Sequence, residues 1–202
     1  MTRKLIAILR GLEPDMAADT AAVLLDAGIT MIEVPLNSPN PFRSIELMAN
    51  AHDGRGVFGA GTVLSIGDVA QLKSAGGTFV VSPNCDLEVI RTTKAAGLNS
   101  YPGVFTASEC FAALKAGADA LKIFPAEVMG PSGVKALRAV LPADADVYAV
   151  GGAAPDNFDK WAAAGACGFG LGSFLFKPGR SLDEIGKNAV DAVAAYDNVF
   201  KA

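Results

Sequence analysis

The sequence predicts an α/β fold, a (β/α)8 TIM barrel built as a single domain over residues 1–202. Three observations lead there. Short apolar runs recur eight times, their starts about 20–26 residues apart, which is room for a strand, a helix and two loops. Alanine-rich stretches carrying helix start and stop residues fill the gaps. A chain of 202 residues, 51% hydrophobic and 19% charged, fits one folded domain with a sizeable core. Regular alternation of the two element types implies parallel strands joined by right-handed crossovers, and eight such strands close into a barrel. A doubly wound open sheet is the competing arrangement. It is disfavoured because the first apolar run leads into Arg10-Gly11 rather than a G-x-G-x-x-G turn.

The first run is LIAIL at 5–9. Arg3 and Lys4 precede it as they would in a signal peptide, but the apolar stretch stops at Arg10 and reads as a strand. Pro14-Asp15 opens the first helix and Ala27-Gly28 closes it. MIEVPL at 31–36 is the second strand and VFGAGT at 57–62 the third, followed by a helix from Ser65 to Ala75-Gly76. TFVVSP at 78–83 and SYPGV at 100–104 are the fourth and fifth. Thr106 and Glu109 form a capping-box pattern for a helix that ends at Ala116-Gly117. ALKIFP at 120–125 is the sixth strand, with Ser132 expected to open its helix. DVYAVGG at 146–152 is the seventh; its helix runs from Pro155-Asp156 to Ala164-Gly165, and GFGLGS at 168–173 is the eighth. The recurrent Ala-Gly joint places a glycine where a helix ends in left-handed backbone.

Composition narrows the function. The net charge is −4 and no basic stripe is visible, which argues against nucleic acid. No apolar run approaches membrane-spanning length. Cys85, Cys110 and Cys167 are odd in number and not closely spaced, so buried free thiols in a reducing cytoplasm are expected. A single histidine, His52, cannot build a zinc site and leaves carboxylate-bound magnesium as the remaining metal option. His52 and Trp161 fall on helices and read as surface or packing residues.

In such barrels the active site forms at the C-terminal ends of the strands. The residues there are Arg10, Glu33 with Asn37, Thr62, Pro83, Lys122 with Phe124, Val150-Gly151-Gly152 and Gly172-Ser173. Lys122 interrupts an otherwise apolar strand. Pointing inward, its ammonium would be desolvated, its pKa lowered, and a neutral amine able to form a Schiff base with a ketone would result. The alternative is a lysine snorkelling to water from the strand end. Glu33 interrupts a second apolar strand and suits general acid–base work; the alternative is an ion pair inside the barrel. Arg10 can fork onto a carboxylate or phosphate, or form a surface salt bridge. Phosphate sites in these barrels often use the last two loops, where the glycines at 151, 152 and 172 admit backbone N–H groups and Ser173 adds a hydroxyl. Thr62 follows Gly59-Ala60-Gly61 and can offer its hydroxyl to a carboxylate or cap the strand end, while Pro83 and Phe124 would shape the pocket.

From about Leu5 to Ala195 the chain resembles the small class I aldolases that cleave 2-keto-3-deoxy-6-phospho sugar acids. The motifs are AILRG at 7–11, IEVPLNSP at 32–39, GAGTV at 59–63, VSPN at 81–84, YPGVFTASE at 101–109, LKIFPAE at 121–127, AVGG at 149–152 and GLGS at 170–173. The resemblance implies Lys122 as Schiff-base lysine and Glu33 as general acid/base. It places Thr62 near the pyruvate carboxylate and makes Gly151, Gly152, Gly172 and Ser173 the phosphate loops. Arg10 would be an anion-binding arginine. It also implies a phosphorylated sugar acid and pyruvate as the small-molecule partners, no cofactor or metal, no membrane, and a homotrimer. Sister sequences acting on the gluconate-derived epimer carry an arginine in an L-R-T context and a threonine before the glycine pair. Here Leu36-Asn37-Ser38 and Val150 stand instead, which resembles the branch acting on the galactonate-derived C4 epimer. Rival readings are the same reaction on the other epimer, a phosphate-barrel isomerase or epimerase without an imine, and a barrel that only binds a phosphorylated metabolite.

Overall fold

The computed structural model describes residues 3–200. The strands are β1 (Leu5–Ile8), β2 (Met31–Pro35), β3 (Val57–Gly61), β4 (Phe79–Val81), β5 (Asn99–Tyr101), β6 (Gly103–Val104), β7 (Leu121–Ile123), β8 (Val147–Val150) and β9 (Gly168–Leu171). The helices are α1 (Ala17–Ala27), α2 (Pro41–Ala51), α3 (Ile66–Ser74), α4 (Leu87–Ala95), α5 (Ala107–Ala116), α6 (Ala126–Arg138), α7 (Phe158–Ala163) and α8 (Leu182–Phe200). Every recorded strand pair is parallel, in the order β5-β4-β3-β2-β1-β9-β8-β7-β6. The two ends of that order, β5 and β6, are one stretch of chain interrupted at Pro102. The sheet therefore closes on itself as a TIM barrel, and the fifth expected strand counts as two. Proline lacks the N–H a ladder needs, but its carbonyl still accepts from the Lys122 N–H at 3.0 Å, so register is carried through the break.

Alternation along each strand sorts the core into two layers. Residues such as Leu5, Ala7, Ile32, Val34, Val80, Leu121, Val147 and Phe169 face the helices. Ile6, Ile8, Phe79, Val81, Tyr148 and Val150 fill the barrel interior. So narrow an interior must alternate large and absent side chains. A Cβ at Gly59 would meet the Phe79 ring, and one at Gly168 would meet Tyr148. Tyr101 then meets both aromatics edge-on, with centroids 5.8 Å from Phe79 and 5.6 Å from Tyr148.

The helix ends follow the sequence with instructive exceptions. Capping boxes form at Ser65/Asp68 and Thr106/Glu109, and Gly28 and Gly117 end α1 and α5 in left-handed backbone. Pro14 and Pro155 open short 3₁₀ turns rather than α1 and α7 themselves, which start at Ala17 and Phe158. The sixth helix begins at Ala126, six residues before the expected Ser132. Its first turn breaks at Gly130 (φ 72°) beside Pro131, and Ser132 lies in the segment that resumes. Cys110 is buried, whereas Cys85 and Cys167 are only half-buried, and all three are free. His52 ends α2 and bonds the Ala18 carbonyl at 2.8 Å, tying α2 to α1. Among the described residues no helix is long and apolar enough to cross a membrane, and no three His, Cys, Asp or Glu side chains gather to hold a metal.

Candidate active site

A cavity of about 690 Å³ opens at the C-terminal ends of the strands. Of the residues expected at a site, Arg10, Glu33, Thr62, Lys122, Phe124, Val150, Gly151, Gly152, Gly172 and Ser173 line it. Pro83 does not. Strand β4 ends at Val81, so the chain has left the inward–outward alternation before it reaches Pro83, whose carbonyl packs against Gly103.

The cavity floor holds two ionisable groups that their strands force inward. Lys122 alternates with buried Leu121 and Ile123 and is 7% exposed. Glu33 alternates with Ile32 and Val34 and is 2% exposed. Burial pulls the Lys122 ammonium below its ordinary pKa. The Glu33 charge opposes that pull, and Arg10 adds to it. Burial likewise pushes Glu33 up to about 7, against the fields of Lys122 and Arg10. Neither group is neutralised by direct contact. None of the ion pairs among the described residues includes them. Glu33 Oε2 is buried with no hydrogen-bond partner among the described residues. The Lys122 Nζ stands 4.6 Å from the centroid of the Phe124 ring. Gly61 is what leaves room for the carboxylate, since a Cβ there would overlap it.

Around this floor the strand ends carry groups suited to anions. Arg10 donates to the Asn37 side-chain oxygen, and the Gly11 N–H to the Ser38 hydroxyl at 2.9 Å; the two bonds clasp the loops after β1 and β2. Asn37 thus engages Arg10. Thr62 is a non-glycine residue in left-handed backbone (φ 56°), a conformation that costs roughly 1–3 kcal/mol and concentrates at functional sites. Gly151 and Gly152 take positive φ, at 95° and 76°. Their carbonyls are drawn off by the Glu127 N–H at 3.1 Å and the Asn157 amide at 2.9 Å. The Gly172 carbonyl accepts from the N–H groups of Leu175 and Phe176, both at 2.9 Å, coiling the chain into a tight turn.

The cavity also holds residues that sequence reasoning missed: Lys177, Arg180, Phe174 and Asn188. Lys177 and Arg180 bracket Pro178-Gly179, in the segment between the last strand and α8. Two cations in the loop that follows the last strand were a readable clue. Asn188 sits within α8 and carries no such clue, because only the packing of the last helix brings it to the cavity.

A desolvated amine beside a carboxyl that titrates near neutrality can run imine chemistry on a carbonyl compound. A rim that carries Arg10, Lys177 and Arg180 beside two glycine turns suits a substrate with anionic groups. The family model "Aldolase: KDPG and KHG aldolase" matches residues 1–195. The "Probable 2-dehydro-3-deoxy-6-phosphogalactonate aldolase" of Rhizobium meliloti (strain 1021) is 50% identical over 99% of this chain and 94% of its own. The "2-dehydro-3-deoxy-6-phosphogalactonate aldolase" of Escherichia coli (strain K12) is 46% identical over 95% of this chain and 94% of its own. A solved structure described as "Native KDPGal structure" superposes with a TM-score of 0.97 at 44% identity, covering all of this chain and 98% of that one. The expected fold and the expected resemblance thus meet in one assignment: the chain belongs to the KDPG and KHG aldolase family.

Proposed function

We propose that this protein is a class I aldolase that reversibly cleaves 2-dehydro-3-deoxy-6-phospho-D-galactonate to pyruvate and D-glyceraldehyde 3-phosphate. The observation that carries the reading is Lys122, a lysine without an ion-pair partner among the described residues, at the buried floor of a cavity, with a carboxyl pushed up to about 7 by burial sharing that floor. Neutral Lys122 attacks the C2 ketone to give a carbinolamine. Glu33, protonated as burial favours, gives a proton to the departing hydroxyl, and water leaves to form the iminium. The resulting carboxylate takes the proton of the C4 hydroxyl. The C3–C4 bond breaks, its electron pair flows into the iminium, and glyceraldehyde 3-phosphate departs. The enamine left on Lys122 is protonated at C3 and hydrolysed to pyruvate. Arg10 and Thr62 serve the carboxylate end, and the turns at 151–152 and 172–173 the phosphate. The enzyme would act in the cytoplasm as a homotrimer.

Borohydride reduction in the presence of pyruvate, followed by peptide mass spectrometry, tests the chemistry. A pyruvate-derived adduct on Lys122 is expected. An adduct on another lysine would keep the reaction and move the site, and folded protein without an adduct would favour the isomerase or binding-only alternatives. For the epimer, the discriminating residue is Val150, buried and lining the cavity. An apolar contact discriminates a hydroxyl only modestly, whereas a hydrogen-bonding one does so strongly. Val150→Thr should shift the ratio of kcat/KM values toward the gluconate-derived epimer. An unchanged ratio would remove residue 150 from the specificity argument.

A further inference from the structure

Two side chains meet at one backbone carbonyl behind the last turn of the cavity. The Phe174 carbonyl accepts from the Arg180 guanidinium at 2.6 Å and from the Asn188 amide nitrogen at 3.0 Å. The same guanidinium nitrogen reaches the Ser173 carbonyl at 3.4 Å. One residue earlier, the Gly172 carbonyl is held by the N–H groups of Leu175 and Phe176. Three successive carbonyls are thereby fixed from behind. In a trans peptide the C=O and the following N–H point opposite ways. Anchoring the carbonyls of Gly172 and Ser173 therefore aims the N–H groups of Ser173 and Phe174 the other way. Neither N–H has a backbone acceptor among the described residues, and both residues line the cavity.

The geometry points to Asn188 as a positioning residue that, with Arg180, locks the 172–176 turn so that two backbone N–H groups face the substrate's phosphate. The inference rests on the proposed reading of that turn as a phosphate holder. Asn188 acts through Phe174. A carbonyl only accepts, so its side-chain partner must be a donor. The peptide that carries this carbonyl also carries the Leu175 N–H, which closes the turn onto the Gly172 carbonyl, so a donor from α8, on a separate element of the fold, holds the closing bond of the turn and through it the Gly172 and Ser173 peptides. The asparagine thus ties the loop to a helix anchored by buried Ile185, Ala189 and Ala192.

Two variants separate positioning from bulk. Asn188→Asp keeps the shape but sets an oxygen against the Phe174 carbonyl, while Asn188→Ala merely removes the donor. KM for the phosphorylated substrate should rise roughly tenfold in Asn188→Asp and less in Asn188→Ala, in keeping with loss of a hydrogen bond and added repulsion. The rate of borohydride trapping with pyruvate, which has no phosphate, should stay at the wild-type value. In ligand-free Asn188→Asp the ¹H–¹⁵N resonances of Ser173 and Phe174 should already be displaced. An unchanged KM, undisplaced resonances, damage greater in Ala than in Asp, or an equal loss of pyruvate trapping would each overturn the assignment. Titration with inorganic phosphate distinguishes the two levels of the argument. Wild-type amides at 173 and 174 that ignore phosphate would overturn the phosphate reading and the clamp with it. Amides that respond with equal affinity in wild type and Asn188→Asp would overturn the clamp alone.

Discussion

Lys4 and Lys122 stand at opposite ends of the same barrel, and they show how one residue type is put to two uses. Lys4 precedes β1 at the N-terminal face. It meets both oxygens of Asp146 at 2.6 and 2.7 Å, with Cys167 beside the pair. Burial is the largest single influence and pulls its pKa down, but the bond to Asp146 and the fields of Cys167, Asp146 and Tyr196 together outweigh that pull, and the ammonium ends above its ordinary value. Lys122 is more deeply buried and has no such partner. For it burial wins over the more distant Glu33, and the amine ends below its ordinary value. Direct hydrogen bonding to a carboxylate keeps a lysine charged and inert. A carboxyl near the amine but out of contact with it leaves a nucleophile.

The sharpest way to break this comparison is Lys122→Ala. It should lower kcat by about four to six orders of magnitude with an unaltered circular-dichroism spectrum. Retention of more than a few per cent of activity would end the claim that the two lysines differ in kind. Next in size is Glu33→Gln, expected to reduce kcat roughly 10²–10⁴-fold in steady-state assays. The same variant tests the electrostatics. Because the folded pKa of Glu33, about 7, lies above its ordinary 4.5, the folded state binds the proton more tightly. Its contribution to stability is greatest below pH 4.5 and declines as pH rises to about 7. Glu33→Gln should therefore be more stable than wild type at pH 8 by about 3 kcal/mol, and the difference should shrink toward pH 5 in urea titrations. A pH-independent difference would place the perturbation elsewhere. The smallest effect is expected at the opposite face. The Lys4 and Asp146 side chains are 39% and 36% exposed, so solvent screens the pair. Lys4→Met should cost under about 1 kcal/mol and leave kcat unchanged. A fall in kcat would mean that the two ends of the barrel are coupled.

Most of the barrel could be read from the linear pattern because its elements repeat. Each strand needs a short apolar run, and each helix needs a cap and a terminating glycine. The mismatches arose where one residue obeyed a second constraint. Pro102 splits the fifth strand because it lacks an N–H, and Gly130-Pro131 breaks a helix that had already started at Ala126. Pro83 looked like a strand end, but β4 stops two residues short of it.

The linear pattern was enough for the order of strands and helices along the chain, for the glycine turns after the last two strands, and for marking Lys122 and Glu33 as candidates for the barrel interior. These are local consequences of side-chain alternation and of backbone that only glycine adopts readily. Closure of the barrel settled that Lys122 points inward and does not snorkel to water, that it shares one floor with Glu33 without touching it, that Gly61 makes room for Glu33, and that Asn37 engages Arg10. Tertiary structure alone brought Asn188 of α8 against the Phe174 carbonyl. The reason is that parallel strands far apart in the chain become neighbours only when the barrel closes. Desolvation, and with it the chemistry of a lysine, belongs to the closed shape rather than to any one segment.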